Sequence, residues 1–215
     1  MKRKITSWPF GILMALSTLA CVPDGPEYVD ELDIVYTNHN ADFNFGSQET
    51  YSLPDKVIKI TTELVEGEPG YEPEFIDPVY SATIINSIRS NMNALGYREV
   101  DKSANPDLIL LPSALQTDQI FFFYDWWYWN WWYPGWGPGW GWYYPGYYPP
   151  QVSRIRTGSV FIQMVQPEGQ SAADKIPVQW SSIINGLLEG SKDQVATRIT
   201  RGIDQAFSQS PYLEK

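Results

Sequence analysis

Between Tyr124 and Pro150 the chain reads Tyr-Asp-Trp-Trp-Tyr-Trp-Asn-Trp-Trp-Tyr-Pro-Gly-Trp-Gly-Pro-Gly-Trp-Gly-Trp-Tyr-Tyr-Pro-Gly-Tyr-Tyr-Pro-Pro. Eight of the chain's 10 Trp residues lie here, and the only charge is Asp125. Recurrent Gly and Pro exclude a long helix and place turns along the run. The run either lengthens the strands on its two sides into a ribbon or stays an irregular loop. A domain of this size cannot bury all of it, and a large exposed aromatic patch marks an interaction site. The expected binding residues are therefore Trp127, Trp129, Trp132, Trp136, Trp140, Trp142 and Tyr144. Because neighbouring segments supply strands and amphipathic faces of their own, the core is expected to form without this run.

Four uses of such a run compete. Trp and Tyr suit a membrane–water interface, where an apolar ring and a polar tip are both satisfied. They are also typical anchors at a protein partner or in self-association. Aromatic faces pack against the apolar faces of sugars and against proline, which makes a sugar or peptide platform the third use. The fourth is a low-complexity insertion that packs on itself.

The N-terminus carries a second strong signal. Lys2, Arg3 and Lys4 precede an apolar stretch from Trp8 to Leu19, which ends at Thr18-Leu19-Ala20-Cys21. Basic residues, a short apolar run and a small residue before a cut make a secretory signal over residues 1–20. The apolar run is shorter than the roughly 20 residues a membrane span takes. Cys21 is the only cysteine, so no internal disulfide can form. The stretch resembles the lipobox of bacterial lipoproteins, in which cleavage exposes a cysteine whose thiol carries a diacylglycerol. Thr18 stands where Leu is usual, three residues before the cysteine, and Leu19 follows it. The resemblance implies lipidation at Cys21, a membrane partner through that anchor, and a place in the cell outer membrane.

After the signal, residues 21–30 read as a tether and residues 31–215 as a single domain. About 195 residues remain, enough for one real core. The formal charge of −10 becomes about −13 without the three signal cations. An acidic chain repels phosphate backbones, which argues against a nucleic-acid partner. Asp24, Glu27, Asp30, Glu31 and Asp33 read as a solvated tether; more sharply, acidic residues shortly after the lipidated cysteine resemble the signal that sends lipoproteins to the cell surface in some Gram-negative groups.

Leu32, Ile34 and Tyr36 alternate with Asp33, Val35 and Thr37 as in a half-buried strand. Asp42–Phe45 and Lys56–Thr62 read as short extended pieces, and Glu63–Asp77 as an exposed loop. Asp77 caps a helix with Pro78 at its first position; Tyr80, Ile84, Ile88, Met92 and Leu95 share a face, and Gly96 ends it. Leu108–Leu111 is a continuous apolar run, as in a strand covered on both faces. Strand patterns return at Gln119–Tyr124, at Ser153–Gln166 with Val160, Ile162 and Met164 on one face, and at Ile176, Val178 and Trp180. Ser191 and Gln194 have capping-box spacing before a second helix whose stripe is Val195, Ile199, Ile203, Ala206 and Phe207. Gly202 inside it costs about 1 kcal/mol against Ala, so this helix depends on packing. The order β-α-β-β-β-α predicts an α/β (α+β) two-layer sandwich, a mixed sheet of about four to five strands with both helices on one face.

In that order the chain resembles the bacterial lipoproteins with domain of unknown function 4136. The likeness runs over most of residues 31–212. It is carried by the lipobox, Ala41-Asp42-Phe43, Thr50-Tyr51-Ser52, the helix opening Asp77-Pro78, Leu95-Gly96-Tyr97, Asn105-Pro106-Asp107-Leu108-Ile109-Leu110, Trp180, Gly186 and Pro211. The resemblance implies a fold and a location more than an activity.

Nothing assembles into a catalytic constellation. His39 is the only histidine and sits in a turn-like Asn38-His39-Asn40. With Cys21 acylated there is no thiol nucleophile and no Cys–His metal site. Asn40, Asp42 and Asn44 alternate like calcium-loop ligands, but Phe45 and Tyr51 occupy the positions that need Gly and Glu. The chain is expected to need no cofactor or metal. It is expected to act as a non-enzymatic binding or scaffolding module, using the aromatic run at a protein partner or membrane surface; the alternative is a glycan- or peptidoglycan-binding lipoprotein.

Overall fold

The computed structural model of the chain describes residues 34–60, 73–115, 132–133, 141–147, 158–167, 175–185 and 191–215. Eight strands form the sheet: β1 (Val35–His39), β2 (Thr50–Ser52), β3 (Ile58–Ile60), β4 (Arg98–Glu99), β5 (Leu108–Leu115), β6 (Gly141–Tyr143), β7 (Ser159–Val165) and β8 (Lys175–Ile184). Among the described residues two α-helices accompany it, α1 (Pro78–Ala94) and α2 (Lys192–Ser208).

The strand order is β1-β8-β7-β5-β2-β4. From β1 to β5 the neighbours are antiparallel, whereas β2 and β4 continue the sheet in parallel. β7 occupies one edge of β5, so β2 and β3 lie end to end along the other, as one strand interrupted around Pro54. β6 runs parallel to the first three residues of β8. The expected four to five strands are thus too few. The additional ones are two or three residues long, too short for an alternating pattern to register.

Both helices cover one face. Ile84, Ile88 and Met92 of α1 and Val195, Ile199 and Ile203 of α2 share a buried cluster with Leu108, Leu110, Ile162, Met164, Trp180 and Ile184 of the sheet. Asp77 caps α1 by accepting from the Val79 N–H at 2.8 Å, and Gly96 leaves the helix at φ 91°. The capping box on α2 is formed in both directions by Ser191 and Gln194. A Cβ on Gly202 would sit 2.5 Å from Ile184 Cγ2, so the helix lies as close to β8 as glycine allows. That close approach is the packing on which a glycine-interrupted helix depends.

Three local expectations are corrected. Ile34 and Tyr36 are exposed, while Val35 packs against the helix-side cluster, so β1 turns its other face inward. Phe45–Ser47 forms a 3-10 turn instead of extended chain. Ile176 and Val178 lie on the opposite face from Trp180, because Val165 pairs with Val178 and Met164 with Trp180, leaving Gln179 as an extra residue. One such bulge exchanges the faces of a strand.

The two ends of the domain are tied to its middle by side chains. Trp180 is fully buried and its indole N–H donates to Ser210 Oγ at 3.0 Å. Ser210 Oγ donates to the Ala206 carbonyl and accepts from the Tyr212 hydroxyl. The Tyr97 hydroxyl lies 3.0 Å from both the Phe45 and Leu213 carbonyls, and burial raises its pKa to about 12. His39 is the last residue of β1 and not part of a turn; its ring stacks on Tyr212 with centroids 3.5 Å apart.

Candidate functional site

The sheet face away from the helices is lined by alternate residues of the same strands: Ile109, Leu111 and Leu115 of β5, Phe161 and Val165 of β7, and Ile176, Val178 and Ile183 of β8. No helix covers it among the described residues. Its cover comes from the aromatic run. Trp132 and Trp142 are 7% and 4% exposed and join this second cluster, with Tyr133 and Tyr144 packed partly buried against it.

Each described aromatic is fixed by a specific contact. Trp142 lies in β6 opposite Ile176, and the next residue, Tyr143, turns out to solvent at 43% exposure beneath the Lys175 ammonium. The buried Gln163 amide donates to the Tyr144 hydroxyl at 3.0 Å. A buried amide requires a partner, and here the aromatic run supplies it. The Tyr147 hydroxyl donates to the Val178 carbonyl at 2.9 Å, and burial pushes its pKa far above the ordinary phenol range. Gly146, at φ 72°, makes the turn between Tyr144 and Tyr147 against Asn40. Lys102 donates to the Trp132 carbonyl and holds its ammonium 5.3 Å from the same ring.

These contacts bring residues of the run into the second buried cluster. Of the expected binding residues, Trp132 and Trp142 are buried in that cluster and Tyr144 packs partly buried against it. Trp127, Trp129, Trp136, Trp140 and Cys21 lie outside the described residues. So do the expected strand at Gln119–Tyr124, residues 153–157 of the expected strand Ser153–Gln166, and most of the expected loop Glu63–Asp77. The Gly158 N–H donates to the Leu115 carbonyl at 2.8 Å, so the end of β5 and the start of β7 lie side by side.

At the margin of the aromatic face Tyr36 is 49% exposed. It pairs with Ile183, which places it on the same face as Trp142. Sequence reasoning expected Tyr36 to be buried and overlooked Gln163 and Lys102, polar residues whose partners lie far along the chain. Beside Trp132 an open cavity of about 670 Å³ is walled by Ser52, Asp55, Asp101 and Lys102. At the opposite end of β2, Asp107 accepts from the Glu49 and Thr50 N–H groups and the Thr50 hydroxyl, while Thr50 Oγ1 accepts from the Asp107 N–H. Burial alone would raise the Asp107 pKa, but these donors outweigh it and hold it below the usual carboxylate value. A bidentate Arg89–Glu99 pair locks α1 to β4.

The arrangement defines a mixed α+β domain with helices on one sheet face and an aromatic cover on the other. The family model for a domain of unknown function, DUF4136, matches residues 35–212, and the chain belongs to that family. The crystal structure of a DUF4136 family protein from Bacteroides thetaiotaomicron is 30% identical. The match covers 85% of this chain and 97% of that one, with a TM-score of 0.62. A Xanthomonas campestris protein from another family of unknown function, DUF330, is 9% identical with a TM-score of 0.31, too distant to carry an argument. No curated protein sequence matches the chain. The Thr50–Asp107 clamp, Gly96 and the Trp180–Ser210 bond explain in physical terms why the residues that carried the resemblance stand where they do.

Proposed function

We propose that this protein is a cell-envelope lipoprotein, anchored by lipid at Cys21 in the outer membrane. We further propose that it acts as a non-enzymatic binding or scaffolding module whose aromatic face meets a protein partner or the membrane surface. One observation carries the reading: the sheet face opposite α1 and α2 is faced with Trp and Tyr, and its margin leaves Tyr36 open to solvent. Aromatic side chains offer large contact area with few rotors to freeze, which suits an interface. The lone histidine is stacked on Tyr212 and lines neither of the cavities at the sheet ends, which supports a role other than catalysis.

The test uses protein beginning after Cys21, with Trp127, Trp136, Trp140 and Tyr36 changed to Ser and the buried Trp132 and Trp142 kept. Wild type should show either a salt-resistant fluorescence blue shift with lipid vesicles or retention of a defined envelope protein, and the variant should lose it. Equal behaviour of variant and wild type in both assays would refute the aromatic-face reading. Separately, Cys21→Ser in the full chain should abolish fatty-acid incorporation; continued labelling would refute the anchor.

A glycan-binding reading is favoured by the open cavity beside Trp132, where an aromatic wall stands among Asp55, Asp101 and Lys102. A saturable change with polysaccharide alone, lost on Asp101→Asn, would select it.

A further inference from the structure

A different cavity lies on the helix side, away from the aromatic cover. It has a volume of about 300 Å³ and is lined by α1, α2 and the ends of β3, β5 and β7. Its inner wall is aliphatic and buried: Ile84, Leu115, Val160, Val195 and Ile199. Its mouth is different in kind. Phe75, Ile76 and Tyr80 are only partly buried there, and Lys59 and Asp77 bring one charge of each sign.

We infer that this cavity is a binding site for a single alkyl chain carrying a zwitterionic head, such as one chain of a phosphoethanolamine- or phosphocholine-type lipid. The size fits. At roughly 30 Å³ for each water-sized group, the space holds about ten methylenes. The wall beyond the mouth consists of aliphatic side chains, so water inside it would forgo most of its hydrogen bonds. The charge at the mouth chooses the head. Lys59 pairs with Glu74 at 3.0 Å, and Asp77 lies 3.7 Å from Lys192. A lone anion brought to Lys59 meets Asp77 and Glu74; a lone cation brought to Asp77 meets Lys59 and Lys192. A head with both signs satisfies both without leaving either pair opposed. Of its lining only Leu115 also belongs to the aromatic face, and the test below leaves that residue unchanged, so the inference stands or falls apart from the function proposed above.

Calorimetric titration of the protein beginning after Cys21 tests it, with decylphosphocholine, decanoate and decyltrimethylammonium below their micelle thresholds. Decylphosphocholine should bind at one site per chain and at least several-fold more tightly than either singly charged amphiphile. Shortening the chain from ten carbons to six should weaken binding on the order of a hundredfold, as four buried methylenes imply. Ala114→Phe, which projects a ring into the cavity from β5, should lose at least tenfold in affinity while its thermal transition stays cooperative. Should that variant fail to fold, Tyr80→Ala, at the mouth, should weaken decylphosphocholine binding by a smaller factor. The inference is overturned by no saturable binding, by binding that ignores head group and chain length, or by equal affinity in Ala114→Phe. It is also overturned if Ala114→Phe lowers the melting temperature and the wild type binds none of the three, since the space is then already filled by the protein's own chain.

Discussion

The two faces of this sheet are buried by different means. On one, α1 and α2 lay down repeated aliphatic stripes, each begun by a capping side chain and each packed along the strands. On the other, isolated residues of a Gly- and Pro-rich run, chiefly Trp132 and Trp142, cover β5, β7 and β8. A helix buries a face by periodicity; the aromatic run does so by the area of single side chains, each about 150–250 Å². The helix face should therefore tolerate small volume changes that spread over many neighbours. The aromatic face should depend on a few large residues and their polar tips.

The largest effect is expected on the helix face at Trp180. Trp180→Ala opens a cavity and removes the partner of Ser210, and should cost about 4 kcal/mol in urea denaturation. A loss below 1 kcal/mol would mean that the C-terminal clamp does not hold the domain together. Asp107→Ala removes the acceptor of three hydrogen bonds joining β2 to β5, and should cost about 2 kcal/mol. Because its carboxyl is held below the ordinary value, that contribution is present at neutral pH and fades as the pH falls through the folded-state pKa. Wild type and Asp107→Ala should converge in acid; parallel curves would contradict the clamp.

Gly202→Ala separates propensity from packing. Propensity alone predicts a gain of about 1 kcal/mol. The 2.5 Å approach to Ile184 predicts a net loss of about 1 kcal/mol instead, read from the denaturation midpoint. The smallest effect concerns His39, whose pKa burial holds below 6.5. The folded state keeps the ring neutral, so stability is full above pH 6.5 and declines as the pH falls below it toward the lower folded pKa. His39→Phe keeps the ring stacked on Tyr212 and should remove that part of the acid slope; an unchanged slope would show that the ring is free to protonate.

The same contrast explains what was legible in the sequence. Asp77-Pro78, Ser191 with Gln194, and the stripes at Ile84, Ile88, Met92 and Val195, Ile199, Ile203 are local signals, and both helices follow from them. β5 was readable because both its faces are buried, leaving an unbroken apolar run. Strands of two or three residues, such as β4 and β6, exist only through their partners and carry no local mark. The face of β1 was misjudged because its more apolar side, Ile34 and Tyr36, is the exposed one. The bulge at Gln179 likewise has no signature in a strand that alternates smoothly on both sides of it.

In the aromatic run, composition led to the expectation of a contact surface. It could not say which Trp turns inward, because that depends on β6 finding β8 and on Gln163 finding Tyr144, contacts between distant residues. The run is therefore part core and part surface.

The most direct test of that division compares Trp142→Ala with Tyr143→Ala in equilibrium urea unfolding. The two are adjacent aromatics in β6, one 4% and the other 43% exposed. If the run is the cover of the second sheet face, Trp142→Ala should lose about 3 kcal/mol, and Tyr143→Ala should stay within about 0.5 kcal/mol of wild type. Equal, small losses at both positions would contradict the account and return the whole run to the role of a surface appendage.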